Sequence, residues 1–403
     1  MQLKNNNFVK TEIGEFPREW KVELLDNVAE RRSGHTPNKK VSSYWNGSIP
    51  WISLKDLSRL DNRFVYETTD YTTVDGINNS SAVLLPEGTI VISRDATVGK
   101  VGILPKKMAT SQHFINYICG EQLNNIYLYY YLFFNKHRFE RIATGSTIKT
   151  IGLGFFKKLK IVLPSVKEQE KIAIILSTWD DAIELKKKLI KQKKERKKGI
   201  MQKLLTGEVR LPGSEGEWKK RKIGELITES KEVAKVSDLN KRITVRLNLK
   251  GVQKRGVSAI EKEDATIQYI RRAGQFIYGK QNLHKGALGI IPQALDGFQS
   301  SSDIPSFDFR SGVDGLWFYY YFSREHFFTN LEVISTGTGS KRISPKDLFK
   351  VKIYVPPISE QQRIAGILSR LDEEIRLHEK KLGELLKQKK GLMQLLLTGK
   401  VRV

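Results

Sequence analysis

The chain has 403 residues, more than a single hydrophobic core usually organises, so we expect two domains of ordinary size with connecting helices. Lys and Arg outnumber Asp and Glu by 69 to 44, and the formal net charge of +25 favours a polyanionic partner such as nucleic acid, with an anionic membrane surface as the competitor. A single cysteine, Cys119, excludes an internal disulfide, and the lack of a long apolar run or apolar leader predicts a cytoplasmic protein without a membrane span.

The first part of the chain, up to residue 163, predicts a compact α+β globule. Short β-rich runs at 48–53 and 88–93 are bounded by Gly, Pro, Asn and Asp, the residues that commonly end strands. A helical pattern follows at 124–141, and its centre at 127–134 is crowded with Tyr, Phe and Leu. This apolar density predicts burial in the core or a docking surface for a partner, rather than a platform for stacking nucleic-acid bases.

An internal repeat dominates the sequence: residues 164–211 recur as 356–403 without a gap, and nearly half of the paired positions are identical. Apolar residues in each copy follow the alternating four-and-three spacing of a coiled-coil seam, which predicts two long helices that pair with each other. The predicted helix-pairing residues are Ile172, Leu176, Trp179, Ile183 and Ile190 in the first copy, and Ile364, Leu368, Leu371, Ile375, Leu382 and Leu385 in the second.

The ends of both predicted helices are marked by local signals. Ser165 and Ser359 are each followed three residues later by Glu or Gln, a capping-box pattern that predicts the helix start. Gly207 and Gly399, each after Leu-Leu-Thr, predict the helix stop. Gly199 and its repeat partner at 391 lie inside the helices, where they predict either close contact with another helix or a kink.

The second half repeats the framework of the first but not its contents. The run at 143–151 aligns with 335–343, and the strand-like run at 159–163 aligns with 351–355, both at the same offset of 192 as the helices. Residues 240–309, however, do not follow the sequence of 39–115 in any register. Two repeats whose helices pair antiparallel predict two unlike globules on a pseudo-two-fold-symmetric framework.

Signatures of catalysis are missing from the sequence. No G-x-x-x-x-G-K-[ST] phosphate loop occurs, and the only Pro-Pro pair, in Val-Pro-Pro-Ile at 355–358, does not fit an amino-methyltransferase signature. The six histidines are scattered singly, so their spacing predicts no zinc or histidine-nuclease site. We therefore predict no catalytic residue and no metal ligand in this chain.

Several runs resemble those of the specificity (S) subunits of type I restriction-modification systems. They are Thr-Gly-Ser-Thr-Ile-Lys at 144–149, Leu-Pro-Ser-Val-Lys-Glu-Gln-Glu-Lys-Ile-Ala at 163–173 and Leu-Leu-Thr-Gly-Glu-Val-Arg at 204–210, with second copies at 336–341, 355–365 and 396–402. The first globule adds Ser-Gly-His-Thr-Pro at 33–37, Tyr-Trp-Asn-Gly-Ser-Ile-Pro-Trp-Ile at 44–52 and Ser-Arg-Asp-Ala-Thr-Val-Gly-Lys-Val at 93–101. The second globule has far fewer such runs, so its fold is carried over from position alone.

The resemblance implies an α+β protein in which two mixed α/β target recognition domains are joined by two long antiparallel coiled-coil helices with pseudo-two-fold symmetry. The expected segments are a first target recognition domain at 1–163, a spacer helix at 164–211, a second target recognition domain at 212–355 and a spacer helix at 356–403. Each domain would read one half of a split, asymmetric site in double-stranded DNA, and the helices would fix the gap between the halves.

The resemblance also implies partner subunits that carry the chemistry. Two modification (M) subunits would hold S-adenosylmethionine and methylate adenine, and restriction (R) subunits would use ATP and Mg²⁺ to move along and cut DNA. No cofactor is expected on this chain, which would be a non-catalytic subunit.

Candidate DNA contacts are polar residues at expected strand ends and loops, because Arg and Gln can read base edges and Lys neutralises phosphates. They are Arg94, Lys100, Lys106, Lys107, Ser111 and Gln112 in the first globule, and Arg271, Arg272, Tyr278, Lys280, Gln281, His284 and Lys285 in the second. The plainer interpretation is that these are solvated surface residues. The lysine-rich run at 186–198 is open to three interpretations: an exposed coiled-coil face, pairing with acidic residues of the other helix, or contact with DNA.

Two other classes of protein remain open at this point. One is a stand-alone nuclease whose catalytic centre is too degenerate to recognise, and the other is a basic coiled-coil scaffold that binds RNA or a membrane.

Overall fold

The computed structural model describes residues 7–257, 266–336 and 341–403. It divides into two units, of which the first comprises Met1–Lys186 with Lys381–Val403 and the second comprises Lys187–Lys380. Two long helices, α6 (Val166–Thr206) and α10 (Ile358–Leu397), each contribute one segment to either unit. Each unit is described by itself below.

The first unit contains eleven strands and five shorter helices among its described residues. In chain order these are β1 Phe8–Thr11, β2 Gly14–Pro17, β3 Lys21–Leu24, α1 Leu25–Val28, β4 Ala29–Ser33, β5 Trp45–Ile52, β6 Asp70–Thr72, α2 Val74–Asn78, β7 Ile90–Ser93, β8 Val101–Ile103, β9 Ala109–Thr110, β10 Phe114–Cys119, α3 Asn125–Phe134, α4 Lys136–Ile142, α5 Leu153–Lys157 and β11 Lys160–Leu163.

The core of the first unit is a four-stranded antiparallel sheet in the order β4-β10-β7-β8. Its central strand β7 is buried along its whole length, because Ile90, Val91 and Ile92 have side chains packed on both faces of the sheet. A separate three-stranded sheet has the order β6-β5-β9, and β3 pairs with β11. Both predicted β-rich runs therefore form strands.

The second unit contains ten strands and three shorter helices among its described residues. These are β12 Lys219–Lys222, β13 Ile227–Ser230, β14 Ile243–Val245, β15 Val252–Lys254, β16 Gln268–Arg271, β17 Phe276–Tyr278, β18 Leu288–Ile290, β19 Phe298–Ser301, β20 Ser306–Phe309, α7 Gly315–Phe322, α8 Glu325–Asn330, α9 Pro345–Lys350 and β21 Lys352–Val355.

The second unit repeats the core sheet of the first although the two sequences do not align there. Its four antiparallel strands lie in the order β13-β20-β17-β18, which matches β4-β10-β7-β8 strand for strand. The pair β12-β21 likewise matches β3-β11. The difference lies outside this sheet, where the second unit has two strand pairs, β14-β15 and β16-β19, in place of the three-stranded sheet. The framework is thus shared and the remaining strands differ.

Aromatic clusters form the core of both units, as predicted. Tyr127 and Tyr130 in α3 are fully buried, as are Trp317 and Phe318 in α7. Both helices begin at an Asn or Asp cap, where Asn124 accepts a hydrogen bond from the Tyr127 amide and Asp314 accepts one from the Trp317 amide. The predicted helix at 124–141 is in fact two helices, α3 and α4, separated at Asn135.

Both long helices end at the predicted glycines. Gly207 and Gly399 have φ angles of 76° and 71°, in the left-handed region that closes a helix, and the amides of Val209 and Val401 bond back to Lys203 and Leu395. The predicted starts are less accurate. Ser165 does cap α6 by accepting from the Glu168 amide, but Glu168 does not return the bond, and α10 begins at Ile358, so Ser359 lies inside the helix instead of capping it.

The close helix contact predicted for the interior glycines was wrong. A Cβ atom added at Gly199 or Gly391 would meet nothing within 4 Å apart from its own helix, and both residues are exposed. Each helix also continues without a break through its glycine. Neither glycine therefore serves close helix contact or an interruption.

A matched pair of substitutions tests the two helix stops. Alanine at either position has to adopt a left-handed backbone, which costs about 1 kcal/mol. At 207 the added Cβ lies 3.6 Å from the Trp218 ring, whereas at 399 it would lie 2.3 Å from the Pro17 ring. We expect Gly207→Ala to lower the free energy of unfolding by about 1 kcal/mol and Gly399→Ala to lower it by roughly 2–3 kcal/mol. Equal losses in chemical denaturation would contradict the close packing at Pro17.

Candidate nucleic-acid interface

In the first unit, the end of strand β7 carries an arginine whose outer nitrogens are available. Arg94 is half-buried, its amide donates to the His113 carbonyl at 2.9 Å, and its Nε donates to the Ile151 carbonyl at 3.1 Å. The Nη groups have no hydrogen-bond partner among the described residues. A guanidinium held through Nε with both Nη groups open is suited to bidentate contact with a base or phosphate.

Polar side chains surround Arg94. Gln112 is exposed and accepts a hydrogen bond from Thr36 Oγ1 at 2.5 Å, and Asp95 Oδ2 lies 2.8 Å from His113 Nδ1. The loop 144–150, which carries the Thr-Gly-Ser-Thr-Ile-Lys run, contacts the segment after Arg94 through a hydrogen bond from the Ala96 amide to the Lys149 carbonyl. The backbones at Arg94 and Gln112 are neighbours, because the Arg94 amide bonds to the residue that follows Gln112. Thr36, His113 and the loop were not among the predicted contacts.

The other candidates of the first unit lie in three different environments. Lys106 and Lys107 are exposed in the turn between β8 and β9. Lys100 is held by the Leu57 carbonyl at 2.9 Å and by Asp61 at 2.7 Å. Ser111 is buried. Only the two turn lysines among these four present their charges to solvent without an internal partner.

A small cleft of the first unit was not identified from the sequence. It has a volume of 230 Å³ and is lined by Lys39, Trp45, Asn46, Lys55, Asp70 and Tyr71. The Trp45 ring packs edge-on against Trp51, with centroids 4.9 Å apart, and Lys55 pairs with Asp70 at 3.0 Å. The Tyr-Trp-Asn-Gly run at 44–47 was the available signal, but tryptophan in a β-rich run is equally typical of a core.

In the second unit, Lys280 occupies the place of Arg94. The Ile343 amide donates to the Lys280 carbonyl at 2.9 Å, as the Ile151 amide donates to the Arg94 carbonyl, and the two isoleucines are partners in the sequence repeat. Lys280 is half-buried and forms no ion pair within the described part of the chain. The two units therefore carry a basic residue at equivalent positions of their four-stranded sheets.

The remaining candidates of the second unit divide into buried and exposed residues. Arg271 is 1% exposed, and Tyr278 is fully buried with its hydroxyl donating to the Ile343 carbonyl. Arg272 is exposed and pairs with Glu232, while Gln281 and Lys285 are exposed. His284 is half-buried, and burial lowers its pKa.

Within each unit, one buried carboxylate ties the two long helices to the globule. In the first unit Glu168, near the start of α6, accepts hydrogen bonds from Arg402 at 2.6 Å and from the Trp20 indole at 3.2 Å. In the second unit Glu360, near the start of α10, accepts from Arg210 at 2.7 Å and from the Trp218 indole at 3.0 Å. In both units the arginine lies just beyond the end of one helix and meets the first turn of the other, so the helix segments run antiparallel.

A second contact is also built twice. Asp180 accepts from Lys389 across the helix pair and from the Tyr130 hydroxyl of the globule, at 2.5 and 2.6 Å. Asp372 accepts in the same way from Lys197 and from the Tyr320 hydroxyl, at 2.5 and 2.8 Å. Each aspartate thus joins three elements of its unit: its own helix, the other helix and the aromatic core helix.

Lysines on the seam form ion pairs. Besides Lys197 with Asp372, Lys193 pairs with Glu374 at 2.5 Å and Lys194 pairs with Glu379 at 2.7 Å, all within the second unit. Part of the lysine-rich run therefore pairs with acidic residues of the other helix, one of the three interpretations left open. The predicted apolar seam residues are all buried or half-buried, with Ile172, Leu176, Ile364 and Leu368 at 1% exposure or less.

Comparison with known proteins identifies the family. The family model described as the type I restriction modification DNA specificity domain matches this chain twice, at residues 17–194 and 215–387. The chain belongs to this family. It is a DNA specificity subunit with two target recognition domains.

Curated relatives and solved structures agree with this assignment. The chain is 30% identical over 435 residues to a putative type I restriction enzyme MjaX specificity subunit from Methanocaldococcus jannaschii, covering 99% of this chain and 98% of the relative. The MjaIX specificity subunit of the same organism is 36% identical over 184 residues, or 45% of this chain and 42% of that one. The fold resembles a type I S subunit from M. genitalium, with 16% identity, 98% coverage of each chain and a TM-score of 0.58.

Within residues 7–257, 266–336 and 341–403, no group of three or more His, Cys, Asp or Glu side chains is placed to hold a metal ion. No helix in these ranges is long and apolar enough to cross a bilayer.

The buried Glu360 pair predicts a pH-dependent stability. Burial would raise the pKa of the Glu360 carboxyl, but hydrogen bonds from Arg210 and Trp218 outweigh burial and hold the pKa below its ordinary value. Because the folded-state pKa is the lower one, the pair stabilises fully above the ordinary glutamate range, and this stabilisation is lost as the pH falls through the folded value.

We expect Glu360→Gln to lower the free energy of unfolding at pH 7 by roughly 1–3 kcal/mol, and we expect the difference from wild type to shrink below about pH 4. Glu373→Gln, which removes an exposed pair with Arg376, is the matched control and should change stability far less. Denaturation curves of both variants between pH 3.5 and 7 measure this, and a difference that is constant over the range would contradict the assignment.

Proposed function

We propose that this specificity subunit reads a bipartite, asymmetric site in double-stranded DNA, with one half-site for each target recognition domain. The observation that carries the proposal is the pairing of a shared core sheet with unlike surrounding strands: the same sheet order and the same cation position at Arg94 and Lys280 recur in two units whose remaining strands differ. Unlike strands around a shared sheet present different side chains and are suited to different base sequences.

The division of labour along the chain follows the four expected segments. Residues 1–163 and 212–355 act as the two readers, and residues 164–211 and 356–403 act as the spacer that sets the gap between half-sites. The support for a spacer role is a set of buried and half-buried ion pairs that occurs once in each unit, at Glu168 and Asp180 and again at Glu360 and Asp372. These pairs restrict the helix segments of each unit to one register.

In the first unit, Arg94 and Gln112 contact base edges, and Lys106 and Lys107 contact phosphates. The exposed amide of Gln112 and the open Nη groups of Arg94 are the groups that support base contact, since both can form paired hydrogen bonds. Ser111 and Lys100 support the loops from inside. In the second unit, Lys280, Gln281, His284, Lys285 and Arg272 form the contact surface, and Arg271 and Tyr278 hold it from the core.

The partners that we propose are those the family implies. Two modification subunits supply S-adenosylmethionine and methylate adenine at the site chosen by this subunit, in the cytoplasm, and restriction subunits supply ATP- and Mg²⁺-dependent cleavage. One of the related solved structures concerns complex assembly and conformational transition of the type I restriction-modification system to which that protein belongs. This chain would contribute recognition and no catalytic group.

The direct experiment mixes the full chain with its methyltransferase partner subunit and measures binding and methylation on duplex libraries. The proposal expects one bipartite sequence to be bound and methylated at about 0.15 M salt, where random DNA and RNA compete poorly. Cleavage of DNA by the purified chain with Mg²⁺ alone would instead support the nuclease alternative. Equal competition by random DNA, RNA or anionic vesicles would support the basic scaffold.

Two kinds of contact in the first unit can be separated by mutation. Arg94→Ala should cost about 1–3 kcal/mol of binding and relax the preference at one base pair of one half-site. Lys106→Gln combined with Lys107→Gln should weaken binding to all sequences alike and reduce the salt dependence by about 0.9 per lost contact. Lys157→Gln combined with Lys158→Gln, two exposed lysines at the end of α5, is the control of equal charge change. If Arg94→Ala leaves the preferred sequence unchanged, Arg94 does not read a base.

A further inference from the structure

A basic cleft lies in the second unit beside Lys280. It has a volume of 290 Å³, and its charged lining residues are Glu229, Lys231, Arg271, Lys280 and Lys346. Hydroxyl groups of Ser230, Ser302 and Ser344 and the ring of Tyr269 complete the wall. Four cations face one carboxylate, so the cleft carries an excess of positive charge.

The carboxylate neutralises only one of the four cations. Glu229 pairs with Lys231 at 3.3 Å, and both side chains are partly exposed. Arg271, Lys280 and Lys346 have no carboxylate within ion-pair distance among the described residues, while Glu229 acts on Arg271 and Asp347 on Lys346 from farther away. The cleft therefore keeps an excess of positive charge.

Arg271 is fixed within the wall. Its Nε donates to Ser300 Oγ at 2.6 Å, one Nη donates to Ser306 Oγ at 3.1 Å and to the Ser230 carbonyl at 3.2 Å, and the other donates to the Ser301 carbonyl at 3.2 Å. Burial lowers its pKa to about 10, so the guanidinium remains charged at neutral pH. All its partners are neutral, and the buried charge is left for an anion to offset.

Lys280 is held at the edge of the cleft by its backbone. Its amide donates to the Asp303 carbonyl and its carbonyl accepts from the Ile343 amide, both at 2.9 Å. Lys280 and the exposed Lys346 both line the cleft together with Arg271. Because the Ser344 hydroxyl donates to Asp347, the ammonium groups and the hydroxyls of Ser230 and Ser302 are the donors that can bind a phosphate.

We propose that this basic cleft binds a phosphate group, and that in the assembled protein the group is a backbone phosphate of the DNA at the second half-site. The proposal rests on the DNA-recognition function proposed above. The charge pattern at the equivalent position of the first unit differs, because Arg94 there has Asp95 as its neighbour and Asp95 contacts His113. The two units thus hold DNA differently: the second adds a phosphate anchor where the first does not.

The test measures binding of the full chain, with its methyltransferase partner, to its own bipartite duplex between 50 and 200 mM salt. We expect Lys280→Gln and Lys346→Gln each to weaken binding roughly tenfold at 0.1 M salt and to reduce the slope of log affinity against log salt by about 0.9, while the methylated sequence stays the same. The control is Lys352→Gln, an exposed lysine of β21 outside the cleft with the same charge change. Effects no larger than those of the control would overturn the DNA contact.

A second arm identifies the source of the phosphate. Inorganic phosphate and ATP are added to the full chain without DNA, and the melting temperature is compared between wild type and the two cleft variants. A rise in wild type that the variants lose, together with unchanged DNA binding, would assign the cleft to a free phosphate compound and overturn the DNA source. No rise and no DNA effect would overturn the cleft as a phosphate site. If wild type binds no bipartite duplex at all, the proposed function fails, and the phosphate arm still reports on the cleft.

Discussion

The structure depends on a carboxylate that is buried at the start of each long helix. Glu168 and Glu360 are 5% and 1% exposed, and a carboxylate so placed needs charged and hydrogen-bonding partners to remain ionised. Each finds an arginine beyond the end of the other helix and a tryptophan at the start of the globule. Because a shift of one residue along either helix would leave a buried charge unpaired, this contact selects a single register for the helix pair in each unit.

The aspartate contacts extend this constraint into the two target recognition domains. Asp180 and Asp372 each divide their two oxygens between a lysine of the opposite helix and a tyrosine of the aromatic core helix. The core helix packs in turn under the sheet that carries Arg94 or Lys280 at its edge. Helix register and the placement of the contact residues are therefore coupled through buried side chains, with no flexible linker between them.

The sequence was most informative where it repeats itself. The offset of 192 between copies predicted the helix pair and both glycine stops, since each signal appears twice and chance matches do not. Local signals seen without context did less well: Ser359 fits a capping box, but the helix already begins at Ile358 after two prolines. The recurrence of the core sheet could not be predicted, because strands of three to six residues carry too little periodicity to align two unlike sequences.

Contact residues were harder to predict than the fold for a physical reason. An arginine with open Nη groups and an arginine that is buried among serines look alike in sequence, and only the structure separates Arg94 from Arg271. The indole bonds of Trp20 and Trp218 to buried carboxylates likewise depend on residues far away in the chain. Long-range pairing of polar groups leaves little local trace.

We propose that one framework carries two target recognition domains that act independently. The most direct measurement exchanges residues 1–163 for the same segment of a specificity subunit of different preference, and maps methylated adenines across the genome of cells that express the hybrid with the methyltransferase partner. The account predicts that one half of the methylated sequence changes to that of the donor, while the other half and the gap between them stay as they were. A change in both halves, or in neither, would contradict it.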